Sequence, residues 1–490
     1  MMGSSGGRAL RGLVLAFYTI LFLFTFHEAD EDVWGRMAVG RLVLDSVEFP
    51  YEDVFAYVPT KSPWVDHEWL SGVVFYTVHE KFGAAGLVWV RALAGLGAVL
   101  LVVKLGGPGV GTSAAACVMS VATAVLVLQG FNGVVRAQVF SFLLFASFWW
   151  LLERPGKLVW LLVPASALWA NLHGGVVVGV FLIAVYAACS SGRRRSLVVV
   201  GALATVATLA NPYGIHYWTY LAGALSMSRP EIVEWGSVTL TPLLADLHVK
   251  LAMLVVVLVV ALAPRSVRPP RAIVLGATLV ASWMHLRFTP FLGLAMVVAL
   301  PRAVESLFEK GQAAFPKRWV PSLAPLAATV LLVALFLTGA AVAWRHRDLG
   351  LRMTVPPDRY PVAAVRVLER SKISGRLAVY FNWGEYALYH LHPRIRVSID
   401  GRYETVYPDD VVRANWDFTR DLPGAETLLD RYPADFALYP TNSGAARRLD
   451  DSAAWERVHW DDASVLYSNS ETIDGKSLKT SLVLIENTVR

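Results

Sequence analysis

Apolar residues run along this chain in long blocks separated by short polar stretches. Blocks at 13–26, 84–103, 110–128, 138–152, 158–170, 176–190, 196–210, 249–263, 271–286, 289–301 and 320–343 predict eleven helical spans. Several are shorter than the ~20 residues a helix needs to cross ~30 Å of hydrocarbon, so flanking polar positions continue them. The block at 13–26 follows Arg8 and Arg11 and precedes His27-Glu28-Ala29-Asp30 without a small-x-small cleavage site, which predicts an uncleaved first span. Beyond 345 the pattern changes to short alternating runs at 376–381, 396–399, 437–439, 464–467 and 481–485, behind a helical segment at 361–371. The predicted fold is mainly α. A polytopic transmembrane helix bundle over 1–344, with its first outer loop at 27–69, is followed by an exported α/β domain over 345–490.

Composition agrees with this pattern. Of 490 residues, 55% are hydrophobic and 17% charged, with a mean hydropathy of +0.49, against about 25% charged in soluble domains. That excludes a disordered chain, a fibrous one and a soluble enzyme with a single anchor. The net charge of +6 is modest, and no basic stripe interleaved with aromatics points to nucleic acid. Its distribution orients the bundle. Arg193, Arg194, Arg195, Arg265, Arg268, Arg271, Arg302, Lys310, Lys317 and Arg318 crowd alternate loops, whereas the opposite loops carry Arg136, Arg229 and Arg287. The positive-inside rule then puts the N-terminus inside and the C-terminus outside. Cys117 and Cys189 lie in apolar runs and read as small core hydrophobes.

With that topology the unusual polar residues fall at one face. Asp30, Glu31 and Asp32 follow the first span, and Asp66, His67 and Glu68 close the loop after it. Arg136 with Gln138, Asn171 with His173, Asn211 with Tyr213, Glu234 with Trp235, and His285 with Arg287 sit at outer ends of spans. Ionisable groups beside hydrocarbon usually face a bundle interior or a wet cavity. Taken singly they have plainer readings. The acidic triplet fits a solvated loop, His173 a helix cap, and Arg136 and Arg287 side chains reaching head groups. Trp64, Trp69 and Trp235 read as interfacial belt residues, and Arg394, Arg396, Asp400 and Arg402 as a solvated sheet edge. Read together, the polar residues suit glycosyl transfer from a lipid-linked sugar phosphate. A carboxylate takes the acceptor proton, while arginines or a divalent ion offset the charge gathering on the departing phosphate. Asp32, Glu68 and His173 are the residues that would hold such an ion.

Motif order adds a resemblance. Asp30-Glu31-Asp32-Val33-Trp34, Gly40-Arg41 and Trp64-Val65-Asp66-His67-Glu68-Trp69-Leu70 look like the first outer loop of bacterial multi-span GT-C class glycosyltransferases. The likeness continues through Arg136-Ala137-Gln138, Trp169-Ala170-Asn171-Leu172-His173-Gly174-Gly175, Asn211-Pro212-Tyr213-Gly214, Asn382-Trp383-Gly384-Glu385-Tyr386 and Ile399-Asp400-Gly401-Arg402. It implies a polyprenyl-phosphate sugar donor and an acidic base or metal contact in the first loop, here Asp30 or Asp32, with Asp66 and Glu68 as second candidates. The chain departs from the resembling group at Gly35-Arg36, where an aromatic residue and a histidine are more usual, which leaves no support for a histidine acting there. The expected setting is the bacterial cytoplasmic membrane, with an envelope lipid, glycan or protein as acceptor. Two other classes stay open: a transporter or flippase of a lipid-linked substrate, and a non-catalytic envelope assembly partner. Against transport, no pair of broken helices in matching halves is evident.

Overall fold

The computed structural model describes residues 28–106, 135–227, 229, 232–242, 244–314, 353–472 and scattered positions between 330 and 345. The expected spans at 13–26 and 110–128, most of that at 320–343, Cys117 and the strand expected at 481–485 lie outside the described residues. The chain divides into two compact units, Met1–His27 with Ala84–Ile215 and Leu221–Arg352, and Glu28–Gly83 with His216–Tyr220 and Met353–Arg490.

In chain order the longer helices are α1 (Glu31–Asp45), α2 (Trp69–Gly106), α3 (Gln138–Glu153), α4 (Leu162–Leu172), α5 (Val176–Cys189), α6 (Arg194–Ala207), α7 (His216–Ser226), α8 (Leu247–Leu262), α9 (Pro269–Met284) and α10 (Thr289–Ala314). The other eight expected spans are therefore helical. Two helical stretches, Trp69–Gly106 and Leu286–Lys310, have both the length and the apolar character to cross a bilayer. Four more, Gln138–Glu153, Lys157–Leu172, Val176–Cys189 and Leu247–Leu262, are apolar but shorter.

The first unit packs through aromatics and small residues. Phe142, Phe145 and Trp149 of α3 are buried, and Phe291 of α10 meets Phe142 and Phe145 edge-on at 5.1 Å. A Cβ on Gly106 would lie 1.9 Å from the Val297 carbonyl oxygen, so only glycine permits this approach of α2 to α10. Outward positions of α8 and α6 carry exposed Leu251, Leu254, Val257, Leu258, Val198, Val199 and Leu203. A surface that apolar suits hydrocarbon better than water. Cys189 corrects an expectation: it ends α5 in an exposed position rather than in a core.

The second unit joins Glu28–Gly83 to the C-terminal region. Its sheet comprises β1 (Gly375–Val379), β2 (Ile395–Val397), β3 (Phe436–Pro440), β4 (Trp455–Trp460) and β5 (Ser464–Asn469), in the order β2-β1-β3-β5-β4. Strand β1 runs parallel to β2 and β3, with Leu377 opposite both Val397 and Phe436, and β5 is antiparallel to β3 and β4. β1 and β3 carry buried apolar side chains on successive positions, as strands covered on both faces do. Helices α11 (Val362–Ser371), α12 (Gly384–Leu391) and α13 (Asp409–Arg420) pack around it. In α13, Val411, Ala414, Asn415 and Phe418 form the inward stripe at helical spacing. Strand β4 was not expected, since only Val458 among its residues is buried and it sits at the sheet edge.

The 27–69 stretch is not simply a loop. Asp30 caps α1, its Oδ1 accepting from the Asp32 amide at 3.1 Å, and Glu31 and Asp32 occupy the first turn, where negative charge suits the helix dipole. Farther on, the Val397 amide donates to the Phe55 carbonyl at 2.9 Å and the Tyr57 amide to the Val397 carbonyl at 3.2 Å, extending the sheet beyond β2. α1 and the start of α2 touch backbone to backbone, where a Cβ on Gly40 would lie 2.1 Å from the Gly72 carbonyl oxygen.

A buried ionic knot closes this unit and corrects two expectations. Arg402 donates from Nε and Nη2 to Asp400 at 2.8 and 2.7 Å and from Nη1 to Asp53 at 2.8 Å, with no exposure of any of the three side chains. Tyr407 donates to Asp400 at 2.6 Å, and the guanidinium lies over the rings of Phe55 and Trp64. Asp400 and Arg402 are therefore not a solvated edge, and Trp64 is a fully buried platform rather than an interfacial belt residue. Burial opposes ionisation of Asp400, but the Arg402 charge and the hydrogen bonds it and Tyr407 donate outweigh that and hold the carboxyl below its ordinary range.

Two outcomes follow for purified protein. Gly40→Ala should destabilise the second unit by about 1–3 kcal/mol through overpacking, and an unchanged thermal transition would contradict the described contact. Arg402→Met strands two buried carboxylates and should cost about 3–5 kcal/mol. Because folded Asp400 ionises below the ordinary value near ~3.9, its contribution is present above that pH and is lost as pH falls below it. An acid titration of tryptophan fluorescence should therefore show the native unit failing below about pH 4, with Arg402→Met already weakened at neutral pH.

Candidate functional site

The carboxylates of the second unit meet different fates. Arg36, on the buried face of α1, donates from Nη1 to Asp66 at 2.8 Å and brings Nε within 3.1 Å of Glu68. Burial disfavours the Arg36 charge, but Asp66 and Glu68 more than offset it, so the guanidinium holds its proton more firmly than usual. Asp66 also accepts from the Glu68 amide at 2.9 Å. The His67 ring lies 3.4 Å from Glu68 and 4.8 Å from the Tyr220 ring. Asp66 and Glu68 thus tie α1 to the start of α2. Arg36, which sequence reasoning noted only as a departure, is the residue that neutralises them.

Asp30 and Asp32 differ in the same way. One Asp30 oxygen is committed to the helix cap and the residue is buried, whereas Asp32 is half-exposed in the first turn. Behind them stands Glu385 of α12, 2% exposed, whose Oε2 accepts from the Gly35 amide at 3.0 Å. A Cβ on Gly35 would fall 2.3 Å from the Glu385 carboxyl carbon, so glycine there is what admits the carboxyl. Burial and then the Asp32 charge raise Glu385 well above the ordinary carboxyl range, against the pull of Arg36. The signal the sequence offered for this contact is Gly35 itself, where the chain departs from the resembling group.

In the first unit, Arg136 donates from Nη1 to both Glu234 oxygens at 2.8 Å, and Gln138 donates to the Arg287 carbonyl at 3.2 Å. The guanidinium groups of Arg229 and Arg287 lie 4.0 and 4.4 Å from the Trp235 ring centroid. His285 Nδ1 pairs with the Trp235 carbonyl at 2.7 Å. Arg136 is thus held by Glu234, and Arg229 and Arg287 by the adjacent Trp235 ring. Trp235 is a stacking partner here, and Arg229, which entered the sequence reading only as a loop charge, is buried.

His173 is fixed by geometry. Its Nδ1 accepts from the Gly175 amide at 2.8 Å and lies 2.8 Å from Ser141 Oγ, which itself accepts from Trp169 Nε1 at 2.7 Å. An amide can only donate, so Nδ1 carries no proton and the neutral ring bears it on Nε2. The other expected residues of this unit shape turns. Asn171 donates to the Ala167 and Ala210 carbonyls, and Asn211 donates to Thr208 and accepts from the Tyr213 amide. Among the described residues no three His, Cys, Asp or Glu side chains gather as metal ligands. Glu68 is engaged by Arg36.

No protein-family model matches the chain, and no curated protein matches it by sequence. Its structure is similar to that of ArnT from Cupriavidus metallidurans in the apo state, at 14% identity and a TM-score of 0.53, over 96% of this chain and 98% of that one. ArnT bound to undecaprenyl phosphate aligns at 15% identity and a TM-score of 0.50, over 95% and 98%. The arabinofuranosyltransferase AftD from Mycobacteria matches at 13% identity and a TM-score of 0.51, with 94% of this chain spanning 40% of that one. The chain shares the fold of these GT-C class proteins.

Proposed function

We propose that this protein transfers a sugar from a polyprenyl-phosphate donor to an envelope acceptor at the outer face of the cytoplasmic membrane, with the C-terminus on that side. The observation that carries this reading is the stacking of the Arg229 and Arg287 guanidinium groups on Trp235, next in the chain to the Glu234 that pairs with Arg136. These groups suit a phosphate, and Arg donors match its oxygens. His173, with its proton on Nε2, adds a neutral donor. The fold of a protein solved with undecaprenyl phosphate supports the same donor class.

Asp32 serves as the base in this reading. It takes the acceptor hydroxyl proton while the oxygen bonds to the anomeric carbon. The bond from that carbon to the phosphate oxygen breaks, with its electron pair leaving on the lipid phosphate. Asp30 supports Asp32 from the cap, and Asp66 and Glu68 hold the segment through Arg36. Which sugar is moved follows from none of these residues.

Purified protein in lipid, assayed against a panel of radiolabelled polyprenyl-phosphate sugars, tests this. Asp32→Asn should lower transfer about 10²–10⁴-fold, whereas Asp30→Ala should act mainly through α1 stability, by about 1 kcal/mol. Native-rate transfer by folded Asp32→Asn would rule out the base assignment. Arg287→Met should weaken binding of the polyprenyl phosphate itself about ten-fold or more, the loss of one charge-assisted hydrogen bond. Unchanged binding would remove Arg287 from the donor site.

A further inference from the structure

The parallel strands of the second unit end on one side, and their order marks a place there. From β1 the chain goes to β2 on one flank and then to β3 on the other, so the order β2-β1-β3 changes direction at β1. Open α/β sheets bind ligands outside the carboxyl ends of their strands at such a point. Gly384 lets the turns after β1 and β2 close on each other, since a Cβ on it would lie 2.1 Å from the Ile399 carbonyl oxygen.

Half-buried aromatic side chains from separate elements meet at that edge. Phe381 follows β1, Tyr403 follows β2 and Trp416 belongs to α13. The Phe381 ring lies 5.6 Å from Tyr403 at 74°, and 5.1 Å from Trp416 at 33°. Arg420, one helical turn beyond Trp416, lays its guanidinium 5.0 Å from the Trp416 ring centroid. These rings do not belong to the cluster of Ala414, Phe418 and Tyr439 that packs α13 on the sheet. Tyr380, next to Phe381, has Glu31 of α1 and Arg420 as charged neighbours. Tyr403 is two residues from Gly401, where a Cβ would lie 3.3 Å from Oδ1 of Asp32. The aromatic group therefore adjoins the first turn of α1.

Ring faces with charged and hydroxyl groups at their rim suit a molecule that is apolar on its face and polar at its edge. A pyranose is such a molecule, with C–H bonds on its faces and hydroxyls around it. An acyl chain needs a longer apolar surface, and α13 exposes Asp409, Asp410, Arg413 and Arg420 instead. A nucleotide needs a glycine-rich phosphate turn after the first strand, where Tyr380-Phe381-Asn382-Trp383 stands. A peptide strand needs an open edge beside β2, which Phe55 and Tyr57 already cover.

We propose that Phe381, Tyr403 and Trp416 form a saccharide subsite on which a pyranose unit of the acceptor stacks, with Arg420 at its rim. The acceptor class is then a glycan. The inference deepens the proposed transfer and rests on it for its place in the reaction, because a sugar held here adjoins Asp32. The stacking itself needs no donor.

Saturation-transfer NMR on the purified full-length protein in perdeuterated lipid tests this, with the methyl pyranosides of glucose, galactose, mannose and N-acetylglucosamine as probes. Saturating the protein's aromatic protons should reach the ring C–H protons of at least one pyranoside. Trp416→Leu and Phe381→Leu, which keep apolar volume but remove a ring, should each weaken that binding about ten-fold, while Trp416→Phe should retain most of it. No transfer to any of the four sugars, or undiminished binding by folded Trp416→Leu and Phe381→Leu, overturns the proposal. If neither leucine variant folds, the wild type decides, and saturation reaching the sugar equally from methyl and aromatic protons overturns it. The sugar-transfer assay separates the two readings. Pyranoside binding with native transfer by Asp32→Asn keeps the subsite and removes the base. No pyranoside binding with transfer lost in Asp32→Asn removes the subsite and keeps the base. Where both stand, Trp416→Leu should raise the KM for a glycan acceptor more than it lowers kcat.

Discussion

The Arg402 guanidinium lies with Asp400 and Asp53 out of contact with water, sandwiched against Phe55 and Trp64, and the second unit is organised around that placement. A buried charge is tolerated only when its partners are in place. Asp53 belongs to Glu28–Gly83 and Asp400 to the C-terminal region, so satisfying Arg402 requires the two segments to meet. Strand-like pairing of Phe55 and Tyr57 with Val397 and the Gly35 contact with Glu385 then follow as neighbours of the same joint. What looks in the chain like a loop before a bundle becomes one wall of an α/β unit.

That joint also sorts the acids. Asp66 and Glu68 face Arg36, Asp400 and Asp53 face Arg402, and Asp30 is committed to a helix cap. Asp32 is left half-exposed at a helix N-terminus, where the dipole favours its charge. Identical residue types within a few positions of one another thus differ in role because burial and the nearest cation differ.

The first unit uses a different device. There the informative groups are held by backbone and ring atoms: the Gly175 amide on His173, the Arg287 carbonyl on Gln138, the Trp235 carbonyl and ring on His285, Arg229 and Arg287. Their directions are set by these backbone and ring contacts.

The sequence by itself determined the helical bundle, because blocks such as 249–263 and 289–301 are apolar on every side and no aqueous packing suits them. It also determined most of the small sheet, since short apolar runs between turn residues, such as 436–440, are local patterns. It did not reveal α1, whose buried face includes Gly35, Arg36 and Gly40 and therefore shows no apolar stripe. Nor did it show Arg402 as buried, Trp64 as its platform, or Glu385 as a neighbour of Asp32. Each of these depends on partners hundreds of residues away. A side chain's hydrophobicity is written in its own identity, but whether a charge is solvated, paired or protonated depends on what the fold brings beside it.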